Sequence, residues 1–331
     1  MTTRAGKVRM TRIPCRPHEG ETPLGAKKVG IFMRFTRPVL AVLCIANAVR
    51  SADPRAEVPG TLSQEYQRAL KESGQVSPNF RDAKTDEERK KAVETTDQFA
   101  RRFVKLAEKY PHDPLALEVL TQAVRAMNSL DSAIQMSWQT NKTAFPIRSQ
   151  EDSTELAMAL LVRDHIRSDK LGVVCERMRY GTRKEYATFL HKVMKESPHH
   201  EVRGLACLSL AQFLYSHSVK LDLLTERPEL VKRYEALLGK AYFDELRRKG
   251  HDGLTEEVET LLQQAGSKFG EVKMPYGGTV GEQANVELFE MRHLAVGKEA
   301  ADIEGKDQDG KQFKLSHYRG KVVLLYFWSE Y

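Results

Sequence analysis

The chain has 331 residues, 41% hydrophobic and 29% charged, the balance of a folded protein with room for two domains. Its net charge of +7 is confined to the leader: residues 1–37 hold nine Lys/Arg against two Asp/Glu, and residues 38–331 hold 43 of each sign. A neutral main body argues against a basic nucleic-acid surface, and no apolar run reaches the roughly 18 residues of a membrane span.

Residues 1–32 are polar, Pro/Arg-rich and patternless, and read as an over-called, disordered start with Met33 as the true initiator. From Met33, Arg34 and Arg37 form a positive end and residues 39–46 an apolar stretch. Ala46-Asn47-Ala48 then makes a small-x-small cleavage site. Residues 33–52 thus read as a secretory signal cut near Ala48 or Ala52. Cys44 follows Leu43 where a lipoprotein signal needs a small residue, so no lipid anchor is expected. The mature chain is expected to be periplasmic or secreted.

Residues 53–295 read as an α-helical domain. The first amphipathic segment covers 61–72, with a Gly/Ser/Pro break over 73–79. Thr85-Asp86-Glu87-Glu88 is an acidic helix start, and Phe99, Phe103 and Leu106 share one stripe before Pro111 ends the helix. Asp113-Pro114 opens the next, with Leu117, Leu120, Val124 and Met127 as its core face. Further helices are expected over 151–168, 171–180, 182–197, 202–217, 228–238, 241–248 and 254–269. Residues 110–116 and 197–206 repeat one theme of helix stop, polar turn and small-residue helix. No strict period emerges, so the fold class expected is mainly α, built of irregular TPR- or HEAT-like helical hairpins. Residues 270–281, with Met274-Pro275-Tyr276-Gly277-Gly278, read as the clearest break in the chain, Tyr276-Gly277-Gly278 within it as a flexible linker, and 282–294 as a connecting helix.

Within this domain few residues suggest chemistry. An oxidising compartment permits a Cys175–Cys207 disulfide, but each lies on an apolar helical face, where a buried core thiol is the expected state. His199 and His200 read as a capping turn, because adjacent turn residues point apart and lack a carboxylate at metal spacing. Tyr276-Gly277-Gly278 lacks the lysine and preceding strand of a phosphate loop. Asp131, Trp138 and the 140–148 loop read as core packing and solvated loop rather than a groove. Asp244, Glu245, Glu256 and Glu257 read as exposed helical charges.

The last segment changes period. Asp309-Gly310 lies between alternating runs at 301–304 and 312–315, a hairpin signal. Arg319-Gly320-Lys321 turns into 322–328, a β-branched and aromatic run apolar at every position. Such a run reads as a strand covered on both faces, at the centre of an α/β sheet.

These residues resemble the opening of a thioredoxin-like redoxin. The resemblance is carried by Gly297-Lys298-Glu299-Ala300, Asp309-Gly310-Lys311, Leu315-Ser316-His317-Tyr318-Arg319-Gly320-Lys321 and the strand 322–328. It is nearest to bacterial thiol-disulfide oxidoreductases of the TlpA/ResA type, grouped with the AhpC/TSA redoxins. Ala301 stands where the family usually has Pro, and Tyr326 where it usually has Asp or Asn. The resemblance implies that residues 296–331 are the first β elements of a truncated thioredoxin-like α/β domain. It places the nucleophilic cysteine of C-x-x-C immediately after Tyr331. It also implies that Phe327, Trp328 and Tyr331 form an aromatic support for the active site, with Glu330 near the thiol. No C-x-x-C occurs in the 331 residues, so the chain as given is expected to be inactive. A fragment, a decayed copy and a UGA codon recoded for selenocysteine remain open explanations.

The function implied is exported thiol-disulfide exchange with protein thiols, disulfides or a redox partner protein, needing no cofactor or metal. One alternative is a helical-repeat scaffold that binds a partner protein and carries a vestigial redoxin segment. A peroxiredoxin-like peroxidase is the second, although such a protein would carry a Thr-x-x-Cys loop after this strand in place of Phe327-Trp328-Ser329-Glu330-Tyr331.

Overall fold

The computed structural model describes residues 61–76, 83–139, 153–295, 298–306 and 309–326. The signal-like segment at 33–52, the 140–148 loop and Phe327, Trp328, Glu330 and Tyr331 lie outside the described residues, as does the side chain of Trp138. The protein is mainly α: ten α-helices and one two-stranded sheet among the described residues. Contacts divide the chain into two units, one spanning residues 56–292 and the other holding residues 293–331. None of the described helices is long and apolar enough to cross a membrane.

The helical unit is a series of hairpins. Helix α1 (Thr61–Val76) packs on α2 (Asp86–Lys109), and α2 on α3 (Ala116–Gln139). The expected break at 73 arrives later, because α1 runs on to Val76. Helix α2 starts where its acidic sequence suggests. Thr85 Oγ1 accepts from the Glu88 amide at 3.1 Å, and the Glu88 carboxylate accepts from the Thr85 amide at 3.0 Å. This reciprocal cap satisfies two of the orphan donors of the first turn. In the turn between α2 and α3, Asp113 accepts from the Leu115 amide at 2.9 Å, and α3 begins two residues past Pro114.

Helices α4 (Thr154–His165), α5 (Gly172–Met178) and α6 (Lys184–Glu196) follow, and then α7 (His200–Glu226), which packs against α5, α6 and α9. Every residue from 204 to 214 of α7 is buried. A helix apolar all round must be covered all round, so α7 forms the centre of the unit. It is longer than the 202–217 pattern predicts because its last turns cover a second core. That core joins Leu224 to Val93, Leu130, Ile134, Leu230, Tyr234, Leu237 and Phe243.

Helix α8 (Val231–Leu238) leads to α9 (Lys240–Phe269), which is broken at Gly250, with φ 68° and ψ 179°. Only glycine adopts that backbone readily, and the break separates the two helices expected at 241–248 and 254–269. Helix α10 (Val280–Phe289) folds back on α9 and continues as a π-turn at Glu290–Leu294.

The segment 270–281 is a hydrogen-bonded turn rather than a break in the chain. The Gly281 amide donates to Gly270 O at 3.1 Å, Val280 to Val272 O at 2.8 Å and Met274 to Gly278 O at 3.1 Å. Val272 and Val280 are buried beside this ladder, and Thr279 and Glu282 form a second reciprocal cap. Backbone hydrogen bonds thus tie the two helices into one hairpin.

Candidate functional site

The second unit begins as the hairpin its sequence suggests, with its first arm three residues later than the 301–304 run. Strand β1 (Glu304–Lys306) pairs antiparallel with β2 (Gln312–Lys314), Gly305 facing Phe313. Gly310 supplies the positive φ of the connection, 79°. The Phe313 ring lies over Gly305, where an added Cβ would stand 2.9 Å from Cε1. Lys314 and Glu304 make a cross-strand ion pair.

After β2 the chain enters a 3-10 turn, Leu315–Tyr318. The Leu315 amide donates to Ile303 O at 2.9 Å. Asp302 accepts from both the amide and the hydroxyl of Ser316, each at 2.8 Å. Those bonds, the amide first, hold the Asp302 carboxyl below the usual carboxylate range. An ion pair between Arg319 and Glu299 closes the same turn. The Leu-Ser-x-Tyr-Arg-Gly-Lys phrase is therefore a fixed corner that delivers the chain to residue 322.

Residues 322–326 do not form the doubly covered strand that their composition suggests. They belong to no strand; Val322, Leu324 and Tyr326 are exposed, and Val323 and Leu325 are half-buried. A strand covered on both faces needs neighbouring strands and packing layers, and the only described sheet here is the β1–β2 hairpin. The aromatic residues Phe327, Trp328 and Tyr331 lie beyond the last described position.

The model of the AhpC/TSA family matches residues 296–331. The match covers the hairpin, the corner and the apolar run, about a tenth of the chain, and supports a thioredoxin-like redoxin origin for this segment. Comparisons with curated proteins and with solved structures gave no match.

In the helical unit the other candidates fall into structural settings. His199 stands at the start of α7, its Nε2 2.8 Å from Arg167 O, and His200 stacks on Phe269 at 4.9 Å. No group of three His, Cys, Asp or Glu among the described residues could hold a metal ion. Asp244 pairs with Lys240 and Glu257 with Lys249, each at 2.9 Å, while Glu245 and Glu256 are exposed. Tyr276 projects from its turn, 78% exposed. Cys175 and Cys207 are free, buried thiols. Burial pushes the Cys207 thiol up to about 12 and the Cys175 thiol higher still, so neither is a ready nucleophile.

Sequence reasoning missed the strongest polar feature of this unit. Asp131 of α3 and Arg183, which precedes α6, are both 1% exposed at the side chain and form a two-pronged ion pair. Arg183 Nη2 donates to Asp131 Oδ1 at 3.0 Å and Nε to Oδ2 at 3.2 Å. The Thr182 hydroxyl donates to the same carboxylate at 2.7 Å, and Arg183 Nη1 donates to Thr154 Oγ1 at 2.5 Å. Asn128 and Tyr186 extend the link between α3 and α6 through a 3.0 Å hydrogen bond. Asp131 and Arg183 lie 52 positions apart, so no local spacing announces the pair. The one sequence signal is an acid inside a helix face otherwise occupied by Met127, Leu130 and Ile134.

Proposed function

We propose that this protein is an exported thiol-disulfide oxidoreductase whose thioredoxin-like domain opens at residue 296. The match of residues 296–331 to the AhpC/TSA family model carries the reading. The hairpin and the Asp302-capped corner support it, since they are the elements such a domain needs before its central strand. In this reading Val322–Trp328 becomes that strand once later strands and helices cover it, and Trp328 and Tyr331 lie beside the nucleophile. The nucleophile, cysteine or selenocysteine, follows Tyr331 and belongs to the TlpA/ResA pattern. A thiolate or selenolate there attacks a substrate disulfide, forming a mixed disulfide and releasing one substrate thiolate. A second cysteine then resolves it, leaving an intramolecular bridge and the reduced substrate. Neither Cys175 nor Cys207 serves as that second group, being buried in the helical unit.

The signal-like segment at 33–52 supports export to the periplasm or beyond. Partners are then protein thiols or disulfides, or a dedicated redox protein. A second reading, a helical scaffold that binds a partner protein, is favoured by one observation: residues 56–292 form a compact unit with its own core, outside the segment that the family model matches.

Reduction of a model protein disulfide separates the two. The 331-residue chain is expected to show no turnover, and the chain translated onward through the redoxin remainder is expected to show it. Replacement of the nucleophile by serine should then remove it. Turnover by the 331 residues alone, or none by the extended chain, contradicts the proposal.

A further inference from the structure

One buried titratable group stands apart from the redoxin reading. His217, on α7, is 1% exposed, and its Nε2 has no hydrogen-bond partner. Its ring packs edge-on against Phe213 of the same helix at 4.7 Å and against Tyr242 of α9 at 5.7 Å. The Tyr242 hydroxyl is likewise buried and without a partner. Burial holds the imidazole well below its usual range, and the Lys220 ammonium, on the same helix, pushes in the same direction.

The charges around this seam offer no relief. Lys220 donates to Ser216 Oγ at 3.5 Å and is drawn toward Asp131 of α3, a carboxylate already held by Arg183 and Thr182. Glu245 and Glu257 of α9 and Glu185 of α6 act on the Tyr242 hydroxyl, and none hydrogen-bonds the imidazole. A proton placed on His217 therefore creates a buried cation with no acceptor at Nε2, a state that opening of the site relieves.

The segment that sets Tyr242 against His217 is bounded by two breaks. Helix α7 ends at Arg227, with φ −129° and ψ 71°, and α9 is interrupted at Gly250. Between them lie the 3-10 turn Pro228–Leu230, α8 and the first half of α9, which carries Tyr242. Past the break, His251 Nδ1 lies 2.9 Å from Asp222 Oδ2, tying the second half of α9 back to α7.

We propose that residues 228–249 form an acid-released flap, in which protonation of His217 frees this segment from α7 while residues 251–269 stay docked. The linkage has a definite sign. The folded imidazole titrates below the ordinary value of 6.5, so the flap is fully held above that pH and loses stability as pH falls beneath it. Opening takes up one proton, so the opening constant rises about tenfold per pH unit in that window. Environment-sensing of this kind suits a chain exposed to an unbuffered compartment, but it stands without the redoxin reading.

Hydrogen exchange of the full chain, followed by mass spectrometry from about pH 7.5 to about pH 5 and corrected for intrinsic exchange, tests it. Protection in 228–249 is expected to fall about tenfold per pH unit below 6.5, with 251–269 and the first half of α7 unchanged. His217→Phe and His217→Gln should each give a flat profile, and His251→Gln should keep the slope. A flat wild-type profile, simultaneous loss across all helices, or a slope that survives both His217 variants would overturn the proposal.

Discussion

Replacing Asp131 with alanine is expected to lower the unfolding free energy by about 3–5 kcal/mol. The loss does not measure the attraction of the pair. It arises because Arg183 stays a guanidinium at 1% exposure after losing the carboxylate that took two of its hydrogen bonds. Desolvating two charges is expensive, and the Asp131–Arg183 geometry returns much of that cost through its two prongs and the Thr182 hydroxyl. Removing both charges is therefore far milder than removing one: Asp131→Leu with Arg183→Met should recover most of the loss. Urea unfolding of the full chain reads both. The single variant should move the midpoint down with little change in slope, and the double variant should move it back. A double variant as unstable as the single one would show that the loss comes from packing and not from a charge left without its carboxylate.

The second large effect concerns Gly281, at the base of the α9–α10 hairpin. A Cβ there would stand 2.8 Å from Gly270 Cα and 2.9 Å from Gly270 O. The obstacle is backbone, which is itself pinned: Gly281 donates to Gly270 O, and a Cβ on Gly270 would meet Gly266 O at 2.5 Å. Nothing flexible can swing aside, so Gly281→Ala is expected to cost about 1–3 kcal/mol and to loosen the docking of α10 on α9. Gly253→Ala is the contrast. Its nearest neighbour is the Lys249 Cβ at 3.8 Å, within the helix, so alanine there should stabilise by about 0.5–1 kcal/mol. The same midpoint measurement should move in opposite directions for the two variants.

What the sequence made legible was local. Thr85-Asp86-Glu87-Glu88 announces a helix start through hydrogen bonds that close within four residues, and Asp309-Gly310 announces a hairpin through a glycine backbone preference. Gly250 likewise marks a break between two periodic runs. The misreadings share a different cause. Gly270 and Gly281 look like the bounds of a chain break because chain freedom and close backbone approach demand the same residue. Asp131 and Arg183 meet only after α3 and α6 have packed, so their pairing is invisible at any short spacing. The apolar run at 322–326 has the composition of a central strand, yet a strand exists only by hydrogen bonding to neighbours.

The same limit applies to the candidate active site. Its approach is readable in Asp302, Gly310 and the Leu315–Tyr318 corner, while the reactive group is a proposal that rests on register with the redoxin pattern alone. The coding sequence that follows the Tyr331 codon tests this most directly. In the proposed reading a cysteine codon, or an in-frame UGA, comes next, followed after two intervening codons by a second cysteine codon and then by the strands and helices of a redoxin. A reading frame with neither the cysteine spacing nor that remainder would contradict it.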